Sequence, residues 1–378
     1  MKPQYYISLL FLTLASLTAC EQKNLPPQRP DDYAYITFSA LAQRQLTRTN
    51  AYEDYDPARH PGTLGAFGYW DIAQEEAMER PVYQNEKVTY GDGKWTCSQK
   101  KRWDAFPGAH SFDFFGYMPH EAGASLVRTA EGVYTLSVPF SMPGEGSPVL
   151  LPEDIKKVPL LCALPEHKQA TTAGGEELAF ERVVEFRFDQ TLTAFRLFFK
   201  LDTKMGAIRQ FRLKKVTLKG ILATSGTCSR TYTWNGTEWS AGSVQWTFDR
   251  QNVAGFVLPY QAPQTGSPAY DDDKKTLLLT GNIAGDFHQW GSTFYVIPDT
   301  QSQPVLSVTY DVEMLNEAGT AVITRQDVTS TITLNKNNFN NLLTGQTAMI
   351  QPIQILIQPR YLYVMADEDA YTGHLLLE

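Results

Sequence analysis

The chain has 378 residues, 43% of them hydrophobic, and a formal net charge of -8 at pH 7. That is enough apolar material for two domains of ordinary size or one large β domain. The negative balance argues against nucleic acid as a partner and against docking on anionic lipid through a basic patch.

The N-terminus carries Lys2 and an apolar run, residues 5–17, that leads into Leu17-Thr18-Ala19-Cys20. A basic end, an apolar stretch too short for a mature membrane helix and small residues before a cysteine form a bacterial lipoprotein signal over residues 1–19. An ordinary signal peptide with a chance cysteine is the alternative. Cleavage leaves Cys20 as the first residue, with diacylglycerol on its thiol, and places the folded part outside the cytoplasm. Acyl chains contribute about 0.8 kcal/mol per buried methylene, so a multiply acylated cysteine holds firmly. Residues 20–32 are polar and contain Pro26, Pro27 and Pro30, as expected of an extended tether.

From Tyr33 the periodicity is that of strands. Residues 33–40 alternate Tyr33, Tyr35, Thr37 and Ser39 with Ala34, Ile36, Phe38 and Ala40, and β-branched and aromatic side chains suit a pleated surface. Further strands are expected at 87–90, 95–98, 111–118 and 133–140, with Gly91-Asp92-Gly93 turning between the first two. Residues 74–80 suit a short helical turn. A polar break from Glu166 through Gly174-Gly175 to Glu177 marks the expected domain boundary, giving units at 33–166 and 178–378. Strands resume at 183–188, 193–201, 208–218, 294–297, 305–313, 328–334, 353–358 and 361–365. Asn235-Gly236, between Trp234 and Trp239, is a type I′ hairpin signal. No amphipathic helix longer than three turns is apparent. Many short strands with Gly, Pro and Asn between them point to an all-β protein of sandwiches or barrels.

Chemistry is sparse. No GxSxG elbow, HExxH pair, P-loop or dinucleotide fingerprint occurs. The six histidines, His60, His110, His120, His167, His288 and His374, are expected in loops, without a metal site or cofactor. The acidic runs Asp271-Asp272-Asp273 and Asp367-Glu368-Asp369 lack the alternating ligands and central glycine of a calcium loop. Cys97, Cys162 and Cys228 are odd in number and far apart, which suits buried thiols better than a disulfide framework, with one bridge and a leftover thiol as the alternative. Tryptophans such as Trp70, Trp95 and Trp290 are expected to fill cores more than to stack on sugars. The chain therefore reads as a protein without catalysis.

Several stretches together resemble the fimbrillin family of Bacteroidetes, the lipoprotein precursors of pili and related adhesins. They are the lipobox at Cys20, Tyr35-Ile36-Thr37-Phe38-Ser39-Ala40 followed by Leu46-Thr47-Arg48-Thr49, and Phe67-Gly68-Tyr69-Trp70. Tyr83-Gln84-Asn85-Glu86-Lys87-Val88-Thr89-Tyr90 follows, with Trp95 and Trp103, then Phe112-Asp113-Phe114-Phe115-Gly116-Tyr117-Met118-Pro119. Phe294-Tyr295-Val296-Ile297-Pro298 and Leu306-Ser307-Val308-Thr309-Tyr310-Asp311-Val312 complete the series.

The resemblance implies two transthyretin-like β-sandwich domains in tandem and a cell-surface location on the outer membrane. It also implies a life history. An arginine-specific protease cuts after Arg48, with Arg44 the close competitor and Arg59 a distant one. The first strand, with Tyr35, Ile36 and Phe38, then leaves, and a strand from another pilus subunit fills the groove. This is β-strand addition, in which ladder bonds give affinity and alternate side chains give specificity. The candidate donor is Tyr361, Leu362, Tyr363, Val364 and Met365, within 361–377; Ile353, Ile355 and Ile357 read instead as a resident strand. The alternative function is a monomeric surface adhesin or glycan-binding module that never polymerises.

Overall fold

The computed structural model describes residues 35–42, 62–71, 80–106, 111–144, 146–169, 183–202, 209–262, 269–280, 287–334 and 350–357. Cys20, Arg44, Arg48, Arg59, the helical turn at 74–80 except its last residue, and the donor residues Tyr361, Leu362, Tyr363, Val364 and Met365 lie outside them.

Strands account for nearly all regular structure in the described residues, so the chain is all-β. In chain order the first ten are β1 Thr37–Ala42, β2 Thr63–Trp70, β3 Pro81–Gly91, β4 Lys94–Cys97, β5 Ser111–Met118, β6 Ser125–Ala130, β7 Val133–Ser141, β8 Leu160–Cys162, β9 Glu166–Gln169 and β10 Val183–Gln190. There follow β11 Thr193–Leu201, β12 Arg209–Trp234, β13 Trp239–Ala241, β14 Gln245–Leu258 and β15 Tyr270–Asp271. The last are β16 Thr276–Thr280, β17 His288–Val296, β18 Gln303–Leu315, β19 Ala321–Thr333 and β20 Ile350–Ile357. Two short 3-10 turns, Trp103–Ala105 and Pro152–Lys157, complete the described elements.

Local chemistry explains the tight connections. Gly93 has φ +77°, and the Asp92-Gly93 turn joins β3 to β4 with Gly91 opposite Lys94. At the second hairpin Trp234 faces Trp239, and the Asn235 carboxamide oxygen accepts from the amides of Thr237 and Glu238, each at 2.9 Å. The first is a mirror-image turn, with Asp92 at φ +51° as well. The second is not the type I′ turn expected from Asn235-Gly236: Gly236 has φ +100° but Asn235 is not left-handed, and its side chain instead closes a four-residue loop, 235–238, by capping the amides that follow.

The first sheet runs β2-β3-β4-β1-β10-β8-β5-β9, and β5 also pairs with β2. That extra pairing closes seven strands into a barrel-like ring, with β9 added outside it on β5. The other sheets are β17-β11-β20 and a larger one built on β12, which pairs in turn with β16, β18, β14, β7 and β13.

Two hydrophobic cores follow from this arrangement. In the first, β5 faces β7, β12 and β13: the Phe115 ring lies 5.9 Å from Tyr134, 5.6 Å from Tyr232 and 5.3 Å from Trp239. The second gathers Leu197 and Phe199 of β11, Ile353, Ile355 and Ile357 of β20, and Phe211, Leu213 and Tyr310 from the larger sheet. The 26-residue β12 serves both cores, its N-terminal half the second and its C-terminal half the first. The strand expected at 208–218 is therefore the first part of a much longer one.

The polar break in the sequence does not separate the cores. Strand β9 lies within it, stabilised by the Lys168 ammonium 2.6 Å from the Glu166 carboxylate, and β10 beyond it returns to the first sheet. The expectation that histidines sit in loops fails for His167, in β9, and His288, in β17. Polar alternation is weak in these short strands, and tertiary pairing with β5 and β11 makes them regular.

Candidate functional site

Strand β1 occupies a slot in the barrel-like sheet. Its inward residues are Ile36, Phe38 and Ala40, at 2%, 5% and 3% exposure, while Thr37 and Ser39 are half-buried on the other side. Period-two alternation thus places one apolar row in the core. On one flank β1 pairs in parallel with β10 through six residues, from Thr37 opposite Val183 to Ala42 opposite Phe188. On the other flank the described ladder with β4 is a single pair, Phe38 opposite Trp95, and the Ile36 amide donates to the Lys101 carbonyl at 2.9 Å. Tyr35 bridges to Arg102, whose guanidinium stands 5.5 Å over the tyrosine ring.

An aromatic pocket receives Phe38. Its ring lies 5.7 Å from Tyr83 and 6.2 Å from Phe114, both edge to face, and 6.0 Å from Phe186 in a stacked arrangement. Phe186 can approach β5 because residue 116 is glycine: a β-carbon there would come within 2.7 Å of the ring. The Tyr83 hydroxyl hydrogen-bonds the Cys97 thiol, and burial together with that contact pushes the phenol well above its ordinary range. The slot around β1 is thus lined by buried aromatic and apolar side chains.

The structure places the expected leaving-strand residues Tyr35, Ile36 and Phe38 together in this slot, with β1 extending two residues past Ala40 to Ala42. Ile353, Ile355 and Ile357 lie in β20, at 1%, 1% and 0% exposure, paired in parallel with β11. Sequence reasoning did not identify Phe186 as a wall of the slot. Its alternation within 183–188 showed a strand but not which strand it would meet.

Among the other expectations, Cys97, Cys162 and Cys228 are buried free thiols. Trp95, Trp103, Trp239 and Trp290 are buried, and Trp70, Trp234 and Trp246 are half-buried. Among the described residues no group of three or more His, Cys, Asp and Glu side chains is placed to hold a metal ion. One polar cluster went unrecognised: the buried Asp113 carboxylate lies 2.7 Å from His167 Nδ1 and accepts from Trp239 Nε1 at 2.7 Å. It ties β9 and β13 to β5 inside the first core.

No family model and no curated protein matches the chain. Solved structures similar to it include the following three. A fimbrial protein from Bacteroides vulgatus is 14% identical, with 86% of this chain and 95% of that one covered, at a TM-score of 0.47. A candidate cell adhesion protein from Bacteroides uniformis is 14% identical over 85% and 93% of the two chains, at a TM-score of 0.36. Another, from Bacteroides ovatus, is 14% identical over 85% and 91%, at 0.38. These neighbours are fimbrial and cell adhesion proteins by description.

Proposed function

We propose that this protein is a fimbrillin-like surface lipoprotein, a subunit, tip or anchor of a pilus, assembled when a protease releases β1 and a donor strand takes its place. The observation that supports this reading is the seat of β1. A short strand fills the slot between β10 and β4 with one apolar row, and its removal opens two ladder edges above an aromatic groove. Burying Ile36 and Phe38 contributes about 1.5–3 kcal/mol each, so the open groove favours a replacement of the same pattern. Until then β1 covers an edge that would otherwise pair with other chains.

In this reading Cys20 carries the lipid on the outer membrane, cleavage follows Arg48 or Arg44, and the donor is the segment Tyr361, Leu362, Tyr363, Val364 and Met365 of another subunit. Two transthyretin-like sandwich units, one per core, carry the exchange and the adhesive surface. The protein has no catalytic role.

The test is limited digestion of the protein beginning after Cys20 with an arginine-specific protease, followed by N-terminal sequencing and electrophoresis without boiling. One cut at Arg48 or Arg44 with a ladder of stable multimers is the expected result. A clean cut that leaves only monomer would sink strand exchange and leave a monomeric adhesin.

A further inference from the structure

A second feature lies away from the β1 slot, on the outer face of the sheet formed by β7, β12 and β14. Cross-strand partners share a face, and here one face is core: Val138, Cys228, Leu136 and Tyr232 are all fully buried. The opposite face carries hydroxyls in register. Thr227 stands between Pro139 and Thr247, Ser225 between Ser141 and Asp249, and Thr231 beside Thr135 with their hydroxyls 3.0 Å apart.

At one end of this face lies a recess of about 420 Å3, lined by Pro139, Ser141, Ser225, Thr227, Thr247 and Asp249 with the intervening Phe140, Gly226 and Phe248. This is within the roughly 300–1,000 Å3 range of small-molecule sites. The register of β12 against β14 shifts between Ala223 and Ser225, and Gly226 lets the two backbones close up. A β-carbon at 226 would come within 2.1 Å of the Thr247 carbonyl oxygen. Asp249 is the single charged side chain of the lining and accepts from Ser225 Oγ at 3.3 Å. The next cation along β14, Arg250, is committed elsewhere, with its guanidinium on the Asp299 carboxylate at 2.6 Å and over the Phe248 ring.

We propose that this recess binds a neutral saccharide. Four hydroxyl side chains that both donate and accept, beside one carboxylate able to accept from two neighbouring ligand hydroxyls, match a polyhydroxylated and uncharged ligand. An anionic ligand would find no cation in the lining, and an apolar one would find few apolar walls. The site does not use the tryptophans and does not depend on β1 leaving.

Affinity electrophoresis of the full-length protein in native gels tests this, with galactomannan, xyloglucan or dextran cast into the gel and heparin as the anionic control. Retardation by at least one neutral polysaccharide is expected, weakened at least fivefold by Asp249→Asn and by Thr227→Val, with melting unchanged in both. Asp273→Asn, on the exposed loop after β15, should bind as the parent does. Retardation by none of the three, by heparin alone, or equally in the two recess variants would overturn the proposal.

Discussion

The Phe38 and Phe186 rings stack with centroids 6.0 Å apart and planes 15° apart, one on the first strand and the other on its parallel neighbour. Their strands are separated in sequence by more than a third of the chain. Each ring also serves a second purpose: Phe38 fills the pocket between Tyr83 and Phe114, and Phe186 closes over Gly116. Phe38 is therefore the aromatic anchor of β1, beside the buried Ile36 and Ala40 and the ladder to β10.

Phe38→Ala should then cost the uncut protein about 3–5 kcal/mol, the range for emptying a buried aromatic site. Urea denaturation measures it. A loss under about 1 kcal/mol, typical of surface positions, would show that β1 is peripheral to the fold.

Gly116→Ala tests the same contact from below. The new β-carbon meets the Phe186 ring at 2.7 Å, so overpacking should cost about 1–3 kcal/mol. Pairing it with Phe186→Leu should recover part of the loss; strict additivity of the two effects would show that the ring and the glycine are not coupled.

The sheets are also joined by charge. Arg230 of β12 donates to the Asp189 carboxylate of β10 at 2.8 Å and to the Cys162 carbonyl at 3.0 Å. Asp189→Ala leaves a largely buried guanidinium short of a partner and should cost about 1–3 kcal/mol. Replacing both residues, as Asp189→Leu with Arg230→Met, should cost less than the single change, because no unpaired charge remains. A double variant as unstable as the sum of its parts would contradict this.

Acid sensitivity should trace in part to Asp299. Burial opposes its ionisation, but hydrogen bonds from Arg250, the Gln301 amide and the Ser302 hydroxyl outweigh burial and hold the carboxyl below its ordinary value. A folded pKa below the unfolded one, about 3.9, means the extra stability is present above about pH 4 and is lost as pH falls through the folded value. Urea midpoints across acid pH should therefore fall less steeply for Asp299→Asn, which starts from lower stability at neutral pH. An unchanged slope would remove Asp299 from the account.

The buried thiols should be inert. Burial pushes Cys162 up to about 11 and Cys228 up to about 12, and raises Cys97 as well. Since the thiolate is the reactive form, labelling of these three in the native protein at neutral pH should be slow and should accelerate with denaturant. Reductant should leave the melting transition in place. Rapid labelling of any of the three without denaturant would contradict the packing described.

Much of the local structure is written in the residues themselves. The alternation of Ile36, Phe38 and Ala40, the Asn235-Gly236 pair and the isoleucines at 353, 355 and 357 each specify a strand or turn through neighbours a few positions away. Period-two alternation also says which side of a strand is apolar. It does not say what that side will meet. That β1 lies parallel to β10, that β12 runs through both cores, and that Thr227 stands between Pro139 and Thr247 were decided by contacts among distant segments. The same holds for the Asp113, His167 and Trp239 cluster, whose members come from β5, β9 and β13. The sequence by itself thus determined that this protein is built of strands with one apolar face. Which strands share a sheet was left to the tertiary structure, because ladder bonds are nearly indifferent to sequence and the choice of partner rests on how whole apolar faces close against one another.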